Sequence, residues 1–243
     1  MSFESLLPDY ERDGVVSLRG FWSPAKVAEV RQSIARYTRE ILPGVPNSDR
    51  VFEADGVSVR NLWRLEAHDP YFRDLLTDRD TCRLISLYVH GEVACRGVET
   101  FNKPAGTGSG VPRHQDNAYF CQTPPDMLTL WIALDPVTEE NGPVTYHKGS
   151  HKTLLPHEPS GVRGNSYGLA RDVAVDESTR YVATLDPGDA LIHHCQIIHE
   201  SAPNTTSQPR LGLLMVYRGK HTKQDDEKKA AYDKALALTN PNG

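Results

Sequence analysis

The stretch VPRHQDNAYF, residues 111–120, sets His114 and Asp116 one residue apart, just after a loop rich in glycine and proline. An imidazole and a carboxylate at that spacing can share a metal ion. In a chain with 10 histidines the His-x-Asp spacing also arises readily by chance, so a third ligand and a second component must support it. If residues 114–116 are extended, the period-two alternation of a strand sends both side chains to one face, about 6–7 Å apart at the backbone. A further histidine would complete a set of two histidines and one carboxylate, which leaves three adjacent metal positions open and is diagnostic of non-haem Fe(II) oxygenases. His199, in GDALIHHCQIIHESAPNTTSQPR (188–210), follows a strand-like run and opens a polar turn. A ligand at the rim of a rigid sheet is held accurately while its open side stays accessible. Arg210 begins the next strand-like run. Its planar guanidinium grips a carboxylate through two hydrogen bonds. A carboxylate cosubstrate held there at one end and chelating the metal at the other accounts for both features, with Ser201 placed to donate one more hydrogen bond. The same three ligands could hold Zn2+ with an open water site, as in a hydrolase, but Arg210 then has no role.

These residues need a scaffold. VVSLR (15–19) reads as a short strand, and Ser23-Pro24 as the N-cap and first position of a helix. Val27, Val30, Ile34, Tyr37 and Ile41 give that helix one apolar stripe, and Pro43-Gly44 ends it. A second helix is expected over 79–90. The runs 93–103, 127–134, 143–147, 180–185, 189–195 and 210–219 are short, β-rich and punctuated by Gly, Pro, Asn and Asp. Helices first and strands later point to a β-sandwich or barrel with helices packed outside. No repeat or linker divides residues 1–243, so one domain is expected, with 152–179 as a lid or insertion. Residues 222–238 read as a surface helix whose charge run is a solvated face.

Composition narrows the partners. Hydrophobic residues at 38% and charged residues at 24% describe an ordinary globular protein. A net charge of −5 argues against a nucleic-acid binder. No apolar run is long enough to span a membrane, and MSFESLLPDYERDG is too polar and acidic for a secretory leader. The four scattered cysteines, Cys82, Cys95, Cys121 and Cys195, are expected as free thiols, which favours a cytoplasmic location. A small-molecule substrate is the expected partner.

Three stretches, FNKPAGTGSGVPRHQDNAYF, LTLWIALDPVTEENGPVTYHKGSHK and PGDALIHHCQIIHESAPNTTSQPRLGL, together resemble the phytanoyl-CoA dioxygenase (PhyH) family. Each motif is weak alone; their order, His-x-Asp, Trp-x-x-Leu-Asp, Glu-Asn-Gly-Pro, Gly-Ser-His, Gly-Asp, His, Arg, is specific. The resemblance implies a mainly β fold with flanking helices, the cupin-like double-stranded β-helix or jelly roll. It implies Fe(II), with 2-oxoglutarate and O2 as cosubstrates, and substrate hydroxylation or a related oxidation that releases succinate and CO2. Some relatives of this architecture halogenate after losing the carboxylate ligand; Asp116 is present, which favours hydroxylation. By position, the iron ligands fall on His114, Asp116 and His199, and the 2-oxoglutarate arginine on Arg210, with Ser201 beside it. Trp131 falls on the cosubstrate wall and Lys103 near the pocket mouth. The chain departs from the family pattern at TYHKGSH, where Lys148 replaces a proline and His147 an aliphatic residue, and at Glu99, where relatives carry an apolar side chain. Glu99, Tyr119, Tyr146 and His147 are expected to contact substrate. They make a pocket for a small polar metabolite, such as an amino acid or a natural-product intermediate, rather than an acyl-CoA. A non-catalytic 2-oxoglutarate and metal sensor of the same fold, and an acyl-CoA hydroxylase, are the competing readings. Of the remaining histidines, His193 and His194 are expected as strand residues, one packed and one exposed, and His151 as a structural turn residue.

Overall fold

The computed structural model describes residues 3–162 and 164–239. Helix α1 (Leu7–Asp13) precedes strand β1 (Val15–Leu18). Helix α2 (Pro24–Arg36) starts where Ser23 Oγ accepts the Lys26 N–H at 3.2 Å, and it buries Val27, Val30 and Ile34. It runs on as a wider turn over Tyr37–Ile41 before the Leu42–Gly44 turn ends it. Strands β2 (Arg50–Phe52) and β3 (Val59–Leu62) form a hairpin, followed by α3 (Leu65–His68), α4 (Pro70–Leu76) and α5 (Arg79–Tyr88).

The chain then turns to strands: β4 (Val93–Lys103), β5 (Val111–His114), the short helix α6 (Asn117–Phe120), β6 (Gln122–Thr123), β7 (Met127–Ala133) and β8 (Val144–His147). Strands β9 (His157–Val162) and β10 (Asn165–Leu169) pair antiparallel, so the expected insertion carries ordered structure. After β11 (Arg180–Val182) come β12 (Ala190–His194), β13 (His199–Ser201), β14 (Arg210–Gly219), β15 (Lys223–Gln224) and helix α7 (Asp226–Thr239).

Seven strands form the larger sheet, in the order β1-β12-β7-β14-β4-β3-β2, and four form the smaller, β11-β8-β13-β5. Every pairing is antiparallel. Every residue of β7, MLTLWIA, is buried. Both faces of the large sheet are therefore covered, as an uninterrupted apolar run requires. Leu128, Leu130 and Ile132 face the helices in a core with Val30, Ile34, Phe72 and Ile85. Trp131 and Ala133 face the smaller sheet, where Tyr146 and Ala183 join them. These two antiparallel sheets with outer helices are the expected jelly-roll arrangement. Among the described residues, no helix is long and apolar enough to cross a membrane.

Candidate active site

His114 ends β5 and His199 begins β13, and the two residues lie directly opposite one another in the antiparallel register. Opposed side chains share a face, and their ring centroids are 4.1 Å apart. Each Nδ1–H donates to a backbone carbonyl two residues back, His114 to Pro112 at 2.9 Å and His199 to Ile197 at 3.0 Å. That fixes the tautomer and turns both Nε2 atoms inward.

Asp116 arrives differently from the sequence expectation. Residues 114–116 are not extended throughout: Asp116 has φ −57° and ψ −34° and opens the helical turn α6. The turn folds its carboxylate back, so that Oδ1 lies 3.3 Å from His114 Nε2 and 3.5 Å from His199 Nε2. One ligand atom from each of the three residues lies within 4.8 Å of the others. Asn117 holds the turn, accepting the Gln122 N–H at 2.7 Å and donating to Gln122 O and Gln196 Oε1. Gln115, between the ligands, is fully buried; it donates to Thr153 O and Gln196 O and accepts the Leu155 N–H at 2.8 Å. The residue between two ligands is thus a rivet to the next segment.

Burial, then the neighbouring His114, pushes the His199 imidazole down to about 3. Burial also opposes ionisation of Asp116, but positive charge shared with His199, His114 and His193 outweighs it and holds that carboxyl well below its usual range, a charge that a bound metal would supply in place of protons. A metal needs neutral imidazole and ionised carboxylate, so this donor set fits Fe(II) in chemistry as well as spacing.

Arg210 begins β14 and is 1% exposed. Its guanidinium carbon lies 5.3 Å from the Trp131 ring and 5.7 Å from the Phe101 ring, while Nε and Nη1 have no hydrogen-bond partner among the described residues. Burial lowers its pKa to about 10. A buried cation with idle donors is costly unless a ligand answers it, and a carboxylate does so bidentately. Gly212 makes room for this arrangement: a Cβ there would meet Trp131 Cζ2 at 2.2 Å.

The trio, Arg210, Ser201 and Trp131 all line one cavity of about 860 Å³. Of the expected substrate contacts, Glu99 and Tyr119 line it too. Tyr119 lies on α6 rather than on a strand; its hydroxyl donates to Asp116 Oδ1 at 2.5 Å, so it braces a ligand as well. Glu99 accepts no hydrogen bond from a described residue, and burial, then Asp116 and Glu66, raise it to about 8.

Tyr146, His147 and Lys103 depart from expectation, because none of them lines the cavity. Tyr146 is fully buried behind the site, with its hydroxyl 3.0 Å from His193 Nδ1. His147 points to the other side of β8, where Nδ1 donates to Asp176 O at 3.3 Å. Lys103 is fully buried and donates to Ser109 O and Ala202 O, both at 2.6 Å. It ties two loops together, and burial pushes its ammonium down to about 6.

His193 was expected as a plain strand residue, with no part in the site. It is buried, lines the cavity, and places Nε2 3.4 Å from Asp116 Oδ2. Its signal was parity. In LIHHC, His193 alternates with Ile192, which faces the helices. Its neighbour His194 is half-buried rather than exposed, and its Nδ1 accepts the Gln196 N–H. His151 is structural as expected, with Nε2 3.2 Å from Glu11 O. Helix α7 is more than a solvated face, since Tyr232 and Leu236 line the cavity and the Tyr232 hydroxyl donates to Ser166 Oγ at 2.8 Å.

The profile of the Phytanoyl-CoA dioxygenase (PhyH) family matches residues 10–212. The chain is 29% identical over 228 residues to the L-proline trans-4-hydroxylase of Streptomyces griseoviridis, covering 86% of this chain and 83% of the relative. It is 26% identical over 218 residues to a probable alpha-ketoglutarate-dependent hypophosphite dioxygenase of Stutzerimonas stutzeri, covering 86% and 76%. Among solved structures, the epimerase SnoN from nogalamycin biosynthesis, in complex with Fe3+, alpha ketoglutarate and nogalamycin RO, superposes with a TM-score of 0.74 at 23% identity over 95% of this chain and 89% of that one. EctD from S. alaskensis, with 2-oxoglutarate and 5-hydroxyectoine, gives 0.74 at 20% identity over 88% and 75%.

Proposed function

The chain belongs to the phytanoyl-CoA dioxygenase family, and from that premise we propose that it is an Fe(II)- and 2-oxoglutarate-dependent hydroxylase of a small polar metabolite. One observation carries this reading: a His-Asp-His trio and a buried, unanswered arginine face the same cavity. His114, Asp116 and His199 would hold the metal, and Arg210 with Ser201 would hold the distal carboxylate of 2-oxoglutarate. When bound, Fe(II) with its cosubstrate supplies the activation of O2 that ends in succinate, CO2 and an oxidised substrate.

The chain's own residues orient and shield. Trp131 and Phe101 cover the guanidinium and exclude water from its carboxylate partner, which strengthens that pair. Tyr119 fixes the Asp116 carboxylate through its hydroxyl and stacks on His114 at 6.2 Å. Substrate would enter between the β9–β10 hairpin and α7, which supply Pro159, Val162, Ser166, Tyr232 and Leu236 to the outer wall. We read residues 152–179 as the cover of a single catalytic domain on that ground. An acyl-CoA substrate is disfavoured because Arg210 is the only lysine or arginine among the described lining residues, which leaves no partner for a phosphate tail.

The test is succinate formation by anaerobically purified protein given Fe(II), 2-oxoglutarate, ascorbate and then O2, beside His114→Ala. Slow succinate release that vanishes in the variant is expected. Tight 2-oxoglutarate binding without turnover, under every substrate tried, would instead favour a sensor.

A further inference from the structure

We propose that Glu99 is the recognition point for a positively charged nitrogen of the substrate. The inference rests on the oxygenase reading above and narrows its substrate class to amines and related cations.

Glu99 lies on β4 opposite Leu214, which in turn lies opposite Trp131 on β7. All three side chains therefore point the same way, and all three line the cavity. Nothing among the described residues answers the Glu99 carboxylate. Glu66, behind the strand, is another acid, whose Oε2 accepts the Val98 N–H at 2.7 Å. Glu200, at the rim, is already paired, with Arg113 Nε 3.0 Å from its Oε1. Arg210 begins the same strand as Leu214 but stands four residues away, held between Phe101 and Trp131.

Charge bookkeeping in the loaded site points the same way. A divalent metal, Asp116, a doubly negative cosubstrate and Arg210 cancel one another. Glu99 is then the one acid among the described lining residues left without a counter-ion, apart from the paired Glu200, and a buried acid so placed takes its charged form when a cation sits beside it. Its compensation must enter with the substrate. The surroundings suit a cation, since Trp63, Phe101, Tyr119 and Phe120 line the same space and aromatic faces attract cationic nitrogen. Anionic substrates, including phosphorylated ones, would find no free counter-ion among the described lining residues, because Arg210 is engaged by the cosubstrate.

The test uses probes of one shape and three charges: cyclohexylamine, cyclohexanol and cyclohexanecarboxylate. Each is titrated by calorimetry, without O2, into the full chain loaded with Fe(II) and 2-oxoglutarate. A linear set, butylamine, butanol and butyrate, repeats the comparison. The amines should bind roughly tenfold or more tighter than the alcohols, and the carboxylates should not bind detectably. Glu99→Gln should bring amine and alcohol within about a factor of two, and Glu99→Asp should keep part of the preference. A thermal melt of each variant checks that it is folded. The proposal falls if alcohols match amines in the wild type, if the preference survives Glu99→Gln, or if neither amine binds. A separate titration of 2-oxoglutarate distinguishes the levels: failure there overturns the oxygenase reading itself, whereas failure of amine preference with 2-oxoglutarate bound overturns only the role of Glu99.

Discussion

The two faces of the seven-stranded sheet are made from alternate residues of the same strands, yet they are built to opposite rules. On β14, Leu213, Met215 and Tyr217 turn to the helices, and Arg210, Leu214 and Val216 turn to the cavity. On β7 and β12, Leu130 and Ile192 face the helices, while Trp131 and His193 face the cavity. The helical face is largely apolar; the Tyr217 hydroxyl is satisfied by a hydrogen bond to Leu76 O at 3.1 Å, while the Thr100 and Tyr37 hydroxyls have no hydrogen-bond partner among the described residues. The cavity face keeps Arg210 Nε and Nη1 and His193 Nε2 without hydrogen-bond partners among the described residues. Because side-chain direction reverses at every residue, a step of one position separates what folds the sheet from what the sheet does. An unanswered guanidinium on the cavity face, against unpartnered hydroxyls alone on the other, marks the working side.

That contrast can be tested from both sides. The largest effect is expected from Arg210→Met: 2-oxoglutarate should bind about 2–5 kcal/mol more weakly, roughly 30- to several-thousand-fold, by calorimetry. The melting temperature should hold or rise, because an unanswered buried charge is removed. A sharp loss of stability instead would mean that Arg210 belongs to the scaffold. Leu130→Ala, next to Trp131 but on the other face and fully buried, should do the reverse. It should cost about 2–5 kcal/mol of stability in denaturant unfolding, while the folded fraction keeps its affinity for 2-oxoglutarate. A tenfold loss of that affinity would show that the faces are not independent. His193→Leu should have the smallest effect, weakening the metal about 10- to 100-fold in a chelator competition, since it leaves the three ligands intact and removes only the imidazole beside Asp116. No change in metal affinity would leave His193 a plain wall residue.

Much of the site was legible because its signals are local. His114, Asp116, His199 and Arg210 announce themselves by residue type and order, and β4 and β14 fall within the strand-like runs 93–103 and 210–219. What escaped was the direction in which side chains point. Asp116 leaves the strand because α6 begins there, and its reach to both histidines follows from that turn rather than from alternation. Tyr146 and His147 are adjacent on β8 and so cannot share a face; in the event neither lines the pocket. Lys103 reads as a charge near the pocket mouth until the loops carrying Ser109 and Ala202 close over it, the latter a contact between segments about a hundred residues apart in sequence. The outer wall from β9, β10 and α7 was hidden for the same reason, since neither segment carries a chemical motif of its own.

The pairing of His114 with His199 across β5 and β13 also has a meaning for how the protein is made. The two ligands are 85 residues apart in sequence but adjacent in the register, so an unfolded chain offers a metal only the neighbouring His114 and Asp116. Three-point capture must wait until the strands between them have been threaded into place. An ion that prefers the finished site draws the folding equilibrium toward it by mass action. Loading with metal thus serves as an inspection of the assembled product, passing only chains in which these two strands, distant in sequence, have paired.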